Sequence, residues 1–119
     1  MILALVDDLL FLSKIQETAK QLGVDVKAAQ PGDLLKLAIE AAPSGLMIDL
    51  NHPKSLAVLR TLKAQAETKS IPAVGFVSHV HNELIAAARD AGCDLVLARS
   101  AFAGQLPSLL ERFSKPAHL

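Results

Sequence analysis

The chain contains no tryptophan, no tyrosine and a single cysteine. One cysteine, Cys93, excludes an intramolecular disulfide, and the composition fits a reducing, cytoplasmic setting. The only aromatic residues are four phenylalanines. So few stacking platforms argue against binding of single-stranded nucleic acid. Neither sign of charge is in excess, because 12 Lys and Arg balance 12 Asp and Glu. That balance leaves no broad basic surface for a nucleic acid. No apolar run nears the roughly 18 residues that a membrane span needs. The N-terminal stretch MILALVDDLL is apolar but meets two Asp residues early, and it lacks a basic leader and a cleavage pattern, so it does not read as a signal peptide.

What remains is an apolar chain: 51% of its 119 residues are hydrophobic. That fraction argues against disorder, and the length suits one domain with one core spanning residues 1–119. Short apolar runs alternate with longer amphipathic stretches. Ile2 to Val6 is a continuous apolar run that reads as a strand buried on both faces. From Leu9 to Leu22, the residues Leu12, Ile15, Ala19 and Leu22 recur at helical spacing, and Gly23 follows as a C-cap. Val24 to Ala29 reads as a short strand. Gln30-Pro31-Gly32-Asp33 is a turn into a helix with Leu34, Leu37, Ala38 and Ala41 on one face.

Leu46 to Leu50 is the next strand. A helix over Ser55 to Glu67 turns Leu56, Leu59, Leu62 and Ala66 inward. Pro72 precedes the strand Ala73 to Val77, an Ala-rich helix runs from His81 to Ala91, and Leu95 to Ala98 is a fifth strand. A last helix spans Gln105 to Phe113, with Pro107 tolerable in its first turn. Ser114 to Leu119 reads as a loose tail. Strict alternation of five strands and helices implies an α/β fold with a parallel sheet covered on both faces and right-handed crossovers.

In open parallel sheets, ligands bind outside the carboxyl ends of the strands. Strand one delivers Asp7 and Asp8 there. Strand three delivers Asp49, Asn51, His52 and Pro53. Strand four delivers Ser78, His79 and His81, and strand five Arg99 and Ser100. Crowded carboxylates repel one another unless a cation joins them. A hard ion such as Mg²⁺ suits carboxylates, a backbone carbonyl and water, while an Arg and a hydroxyl suit a phosphoryl group. Together they make a plausible phosphoryl-transfer site. An Asp after a strand also serves as a turn residue or a helix N-cap.

His52, His79 and His81 have the ligand type for Zn²⁺ or another transition metal, but spacing does not make them converge. His81 can equally begin a helix and His52 sit in a surface loop. Cys93 and the phenylalanines Phe102 and Phe113 read as core, and Lys14, Glu17 and Lys20 as a solvated face. No nucleophile elbow, P-loop or Gly-rich phosphate motif supports a hydrolase.

In this order and spacing the residues resemble the receiver domains of bacterial two-component signalling, the CheY-like family. Asp7-Asp8 resembles the family's acidic pair. Met47-Ile48-Asp49-Leu50-Asn51-His52-Pro53 resembles its phosphoacceptor segment. Ile71 to Ser78 resembles its fourth strand, with Ser78 in the place of the switch Thr or Ser, and Ala91-Gly92-Cys93-Asp94 resembles the turn before strand five. The resemblance covers Met1 to Phe113. It implies a flavodoxin-like (βα)5 sandwich with strand order 2-1-3-4-5.

It implies that Asp49 accepts a phosphoryl group from a histidine kinase or phosphotransfer protein. Asp7, Asp8, Asp49 and the Asn51 backbone carbonyl hold Mg²⁺, and Ser78 and Arg99 contact the phosphoryl group. His52, His79 and His81 stand at the rim. The protein is then a stand-alone response regulator, a monomer or weak dimer rather than an enzyme, that passes its signal to an effector protein. The chain departs from the family at Arg99 (family Lys), Ser100 (Pro), His79 (Ala or Gly) and Val96 (Tyr or Phe), and its loop after Pro53 is shorter. These departures mark a divergent receiver. They also support an alternative: a pseudo-receiver that docks partners without phosphoryl chemistry.

Overall fold

A computed structural model describes residues 1–78 and 82–115. The elements in chain order are β1 (Ile2–Leu5), α1 (Leu9–Leu22), β2 (Val26–Ala28), α2 (Pro31–Ala41), β3 (Gly45–Asp49), α3 (Ser55–Ala64), β4 (Ala73–Val77), α4 (Asn82–Asp90), β5 (Leu95–Ala98), α5 (Arg99–Gly104) and α6 (Leu106–Phe113). The strands form one parallel sheet in the order β2-β1-β3-β4-β5. This is the order implied by the family resemblance.

The period-2 geometry of the strands divides their side chains between two layers. Leu3, Leu5, Leu46, Ile48, Ala73 and Val77 pack with Leu34 and Ala38 of α2, Leu59 and Leu62 of α3, and Ala88 of α4. Ile2, Ala4, Met47, Val74 and Phe76 pack with Phe11, Ile15 and Ala19 of α1, Phe102 of α5, and Leu106, Leu109, Leu110 and Phe113 of α6. The three inner strands β1, β3 and β4 are therefore buried along their whole length. The edge strand β5 is half-buried throughout. Each fully buried Leu or Phe stabilises the fold by about 1.5–3 kcal/mol.

Several boundaries differ from the sequence reading. In α1 the buried stripe is Phe11, Ile15 and Ala19, while Leu22 is 39% exposed. In α2, Ala41 is exposed and Leu37 half-buried. β2 is limited to Val26–Ala28. β3 starts one residue early, so Asp49 is its last residue. α3 stops at Ala64 rather than Glu67, because Gln65 is extended and the buried Thr68 hydroxyl takes the Leu62 carbonyl at 2.6 Å. Ala66 is accordingly exposed.

The last helix, α6, spans Leu106–Phe113 as the sequence implied, and a further helix, α5, stands before it. β5 runs directly into α5 at Arg99, and Gln105 both ends α5 and precedes α6. Pro107 explains the break: it lacks an N–H and its ring collides with the preceding turn, so it fits only near a helix start. Phe102 is fully buried in this additional helix, and Phe113 and Cys93 are buried too, as the sequence implied. Lys14, Glu17 and Lys20 are exposed.

Candidate functional site

Asp7, Asp8, Asp49, Ser78 and Arg99 all stand at the carboxyl edge of the sheet, just after or at the ends of β1, β3, β4 and β5. Asp8 is extended (φ −79°, ψ 109°) and caps α1. Its Oδ1 accepts from the backbone N–H groups of Leu10 at 2.9 Å and Phe11 at 3.2 Å. This satisfies donors that a helix start otherwise leaves open, and it places a negative charge at the positive end of the helix dipole.

The other oxygen, Oδ2, accepts from Arg99 Nη2 at 2.7 Å. The Arg99 guanidinium lies 4.2 Å from the centre of the Phe11 ring. Phe11 packs edge-on against Phe76 at 5.1 Å, and Phe102 completes the cluster at 4.7 Å from Phe76 and 5.9 Å from Phe11. Three of the four phenylalanines thus form the floor under the ion pair. The Arg99 hydrogen bond, and after it the Phe11 N–H, hold the Asp8 carboxyl below its ordinary range, against a smaller opposing effect of burial.

Asp49 is only 5% exposed. Its Oδ1 accepts from the Asn51 N–H at 3.0 Å, a side-chain turn of the kind Asp favours. The Asn51 side-chain carbonyl in turn accepts from the Ser78 N–H at 2.6 Å. Ser55 adds a hydroxyl bond to the Leu50 carbonyl at 3.1 Å. The β3–α3 loop is thereby folded back and fastened to the end of β4. Ser78 is exposed; its backbone N–H is tied down, and among the described residues its hydroxyl has no partner.

His52 behaves as a loop residue: its Nδ1 accepts from the Lys54 N–H at 3.1 Å. His79 and His81 lie outside the described residues.

The expected residues therefore separate into two groups. Asp8 and Arg99 form one, on the α1 side. Asp49, Asn51 and Ser78 form the other, on the β3–β4 side. Asp7 is exposed, and among the described residues neither it nor Asp49 has an ion pair. Two contributors were not legible as such in the sequence. Phe11 was not among the apolar residues assigned inward, although its spacing with Ile15 and Ala19 is helical. The Asn51 side chain acts as a clamp, and its Asp-x-Asn spacing is the signal that could have shown it.

The donor types match a hard divalent ion. Among the described residues, Asp7 and Asp49 are carboxylates without a cation, and the Asn51 backbone carbonyl accepts no hydrogen bond. Asp8 is the point of departure, because its outward oxygen already carries a guanidinium. Among the described residues, no three His, Cys, Asp or Glu side chains are grouped to hold a metal ion.

No protein-family model and no curated protein matches the sequence. Solved structures do match. The receiver domain of sensor histidine kinase PA1611 from Pseudomonas aeruginosa, with a magnesium ion coordinated in its active-site cleft, superposes with TM-score 0.81 at 18% identity, covering 94% of each chain. The chemotaxis protein CheY4 of Vibrio cholerae gives TM-score 0.81 at 19% identity, over 94% of this chain and 96% of that one. The phosphorylated cyanobacterial phytochrome response regulator RcpA gives 0.75 at 23% identity, over 95% and 91%. At these identities the likeness carries the fold: the chain has the α/β fold of CheY-like receiver domains. The resemblance read from the sequence holds at that level. Among the described residues, no helix is long and apolar enough to cross a membrane.

Proposed function

We propose that the protein is a cytoplasmic, receiver-type signalling module, not an enzyme, in which Asp49 accepts a phosphoryl group. The observation that carries this reading is the state of Asp49. It is a carboxylate 5% exposed, at the carboxyl end of the middle strand, with one backbone N–H donor and no cationic partner among the described residues. A carboxylate so placed calls for a positive group.

Asp7, Asp8, Asp49 and the Asn51 carbonyl would hold Mg²⁺, which when bound draws charge from the phosphoryl oxygens. An Asp49 oxygen attacks phosphorus on a phosphohistidine of a histidine kinase or phosphotransfer protein. A P–O bond forms as the P–N bond breaks, and the imidazole keeps the electron pair and takes a proton. Ser78, held among the described residues only through its backbone N–H, can turn its hydroxyl to the new oxygens, and an effector protein reads the changed edge of the sheet. The module acts as a monomer or weak dimer.

The test is incubation with radiolabelled acetyl phosphate or phosphoramidate in MgCl₂. Wild type should incorporate acid-stable, hydroxylamine-labile label, and Asp49→Asn should not. Absence of label in wild type with both donors would overturn the reading.

A second reading, a pseudo-receiver that binds partners without phosphorylation, draws on the Arg99–Asp8 bond at 2.7 Å. It expects partner binding that Asp49→Asn leaves unchanged.

A further inference from the structure

We propose that Arg99 is a tethered competitor of the divalent ion at Asp8, so that the metal seat opens only when the guanidinium leaves. The proposal rests on the metal reading above and adds to it a residue that restrains the site. Asp8 has two oxygens with different duties. Oδ1 is held by two N–H groups of α1 and stays there as long as the helix start is formed. Oδ2 is the only oxygen free to turn outward, and Arg99 occupies it at 2.7 Å. A second cation on that oxygen would face the guanidinium at close range, and like charges at contact repel strongly where solvent is partly excluded. Metal and guanidinium therefore take turns.

The guanidinium is well placed for this task. It is planar and rests on the Phe11 ring at 4.2 Å, so its position is set by stacking as well as by charge. Arg99 is also the first residue of α5, which follows β5 without a connecting loop. Three residues on, Phe102 is fully buried in the same aromatic cluster. Departure of Arg99 from Asp8 thus uncovers one face of Phe11 beside the start of α5. Occupancy of the acidic site and the exposure of the Phe11 face are linked through one side chain.

The test is calorimetric titration of MnCl₂ and MgCl₂ into wild type, Arg99→Gln, and the double variant Asp8→Asn/Arg99→Gln, each checked for folding by circular dichroism. Arg99→Gln should bind either ion about tenfold more tightly than wild type, the factor that one charge-assisted hydrogen bond supplies. The double variant should lose that gain. In Arg99→Gln the ions should also raise the melting temperature more than in wild type. Wild type that binds, with Arg99→Gln binding equally or more weakly, overturns the competition and leaves the metal reading standing. No binding by wild type or Arg99→Gln at millimolar ion overturns both.

Discussion

Cys93 holds its sulfur 3.3 Å from the Leu95 carbonyl and 3.6 Å from that of Ala73, packed beneath the sheet. Burial, before any other influence, pushes its thiol up to about 11, so the neutral form prevails at physiological pH. Because the thiolate is the reactive species, iodoacetamide at pH 8 should modify native protein at least about a hundredfold more slowly than urea-unfolded protein, given an ordinary thiol near 8.5. Mass spectrometry of timed aliquots reads this directly, and equal rates would contradict it.

The core role of Cys93 was legible in its apolar flanks. The capping role of Asp8 was also among the readings open to an Asp after a strand. The partner of Arg99 was not. Asp8 lies 91 positions away in the chain, and no local pattern encodes a pairing that only the assembled sheet edge creates. The same holds for Lys63, whose ammonium reaches the Ile71 carbonyl at 2.7 Å and Asp94 at 3.2 Å.

At the scale of elements, the inner strands were plain in the sequence because burial on both faces leaves an unbroken apolar run. Helix ends were less plain where they depend on particular bonds, as at α3, where Thr68 takes the Leu62 carbonyl; the place of Pro107 in the first turn of α6 was legible. Close packing between β4 and its neighbours is a property of the same kind. A methyl group at Gly75 would lie 2.8 Å from Leu50 Cγ and 3.1 Å from Cys93 Sγ. Gly75→Ala should therefore cost about 1–3 kcal/mol in urea unfolding, as overpacking does. Gly104 offers a contrast, because nothing lies within 4 Å of its added methyl and its backbone is helical. Gly104→Ala should stabilise the protein by about 0.4–1 kcal/mol, by restricting the unfolded chain. Shifts of the same sign in both variants would contradict this account.

At the scale of the whole molecule, alternation in the sequence implied a parallel sheet with two covering layers, which is what forms. The order of the strands is a different matter. Periodicity fixes which residues form a strand and which face they show, but not which strand lies beside which, and the order β2-β1-β3-β4-β5 was implied only by likeness to receivers. The candidate site follows the same division. Its location at the carboxyl edge follows from a general rule of parallel sheets, whereas the partition into an Asp8–Arg99 pair and an Asp49–Asn51–Ser78 chain arises only once the sheet edge is assembled.

Ser44, just before β3, has its hydroxyl 3.0 Å from the Met1 carbonyl and 2.8 Å from the Phe113 carbonyl. One side chain therefore brings the start of β1 and the end of α6 together. A gene rearranged to join residue 115 to Met1 through a short Gly-Ser linker, and opened between the exposed residues Ala66 and Glu67, should still encode the same sheet. Its far-UV circular dichroism and urea midpoint should stay close to those of the original order, and a random-coil spectrum would refute the expectation. The strand sequence along the gene would then begin with β4, so that the half of the sheet carrying Arg99 would leave the ribosome before the half carrying Asp8.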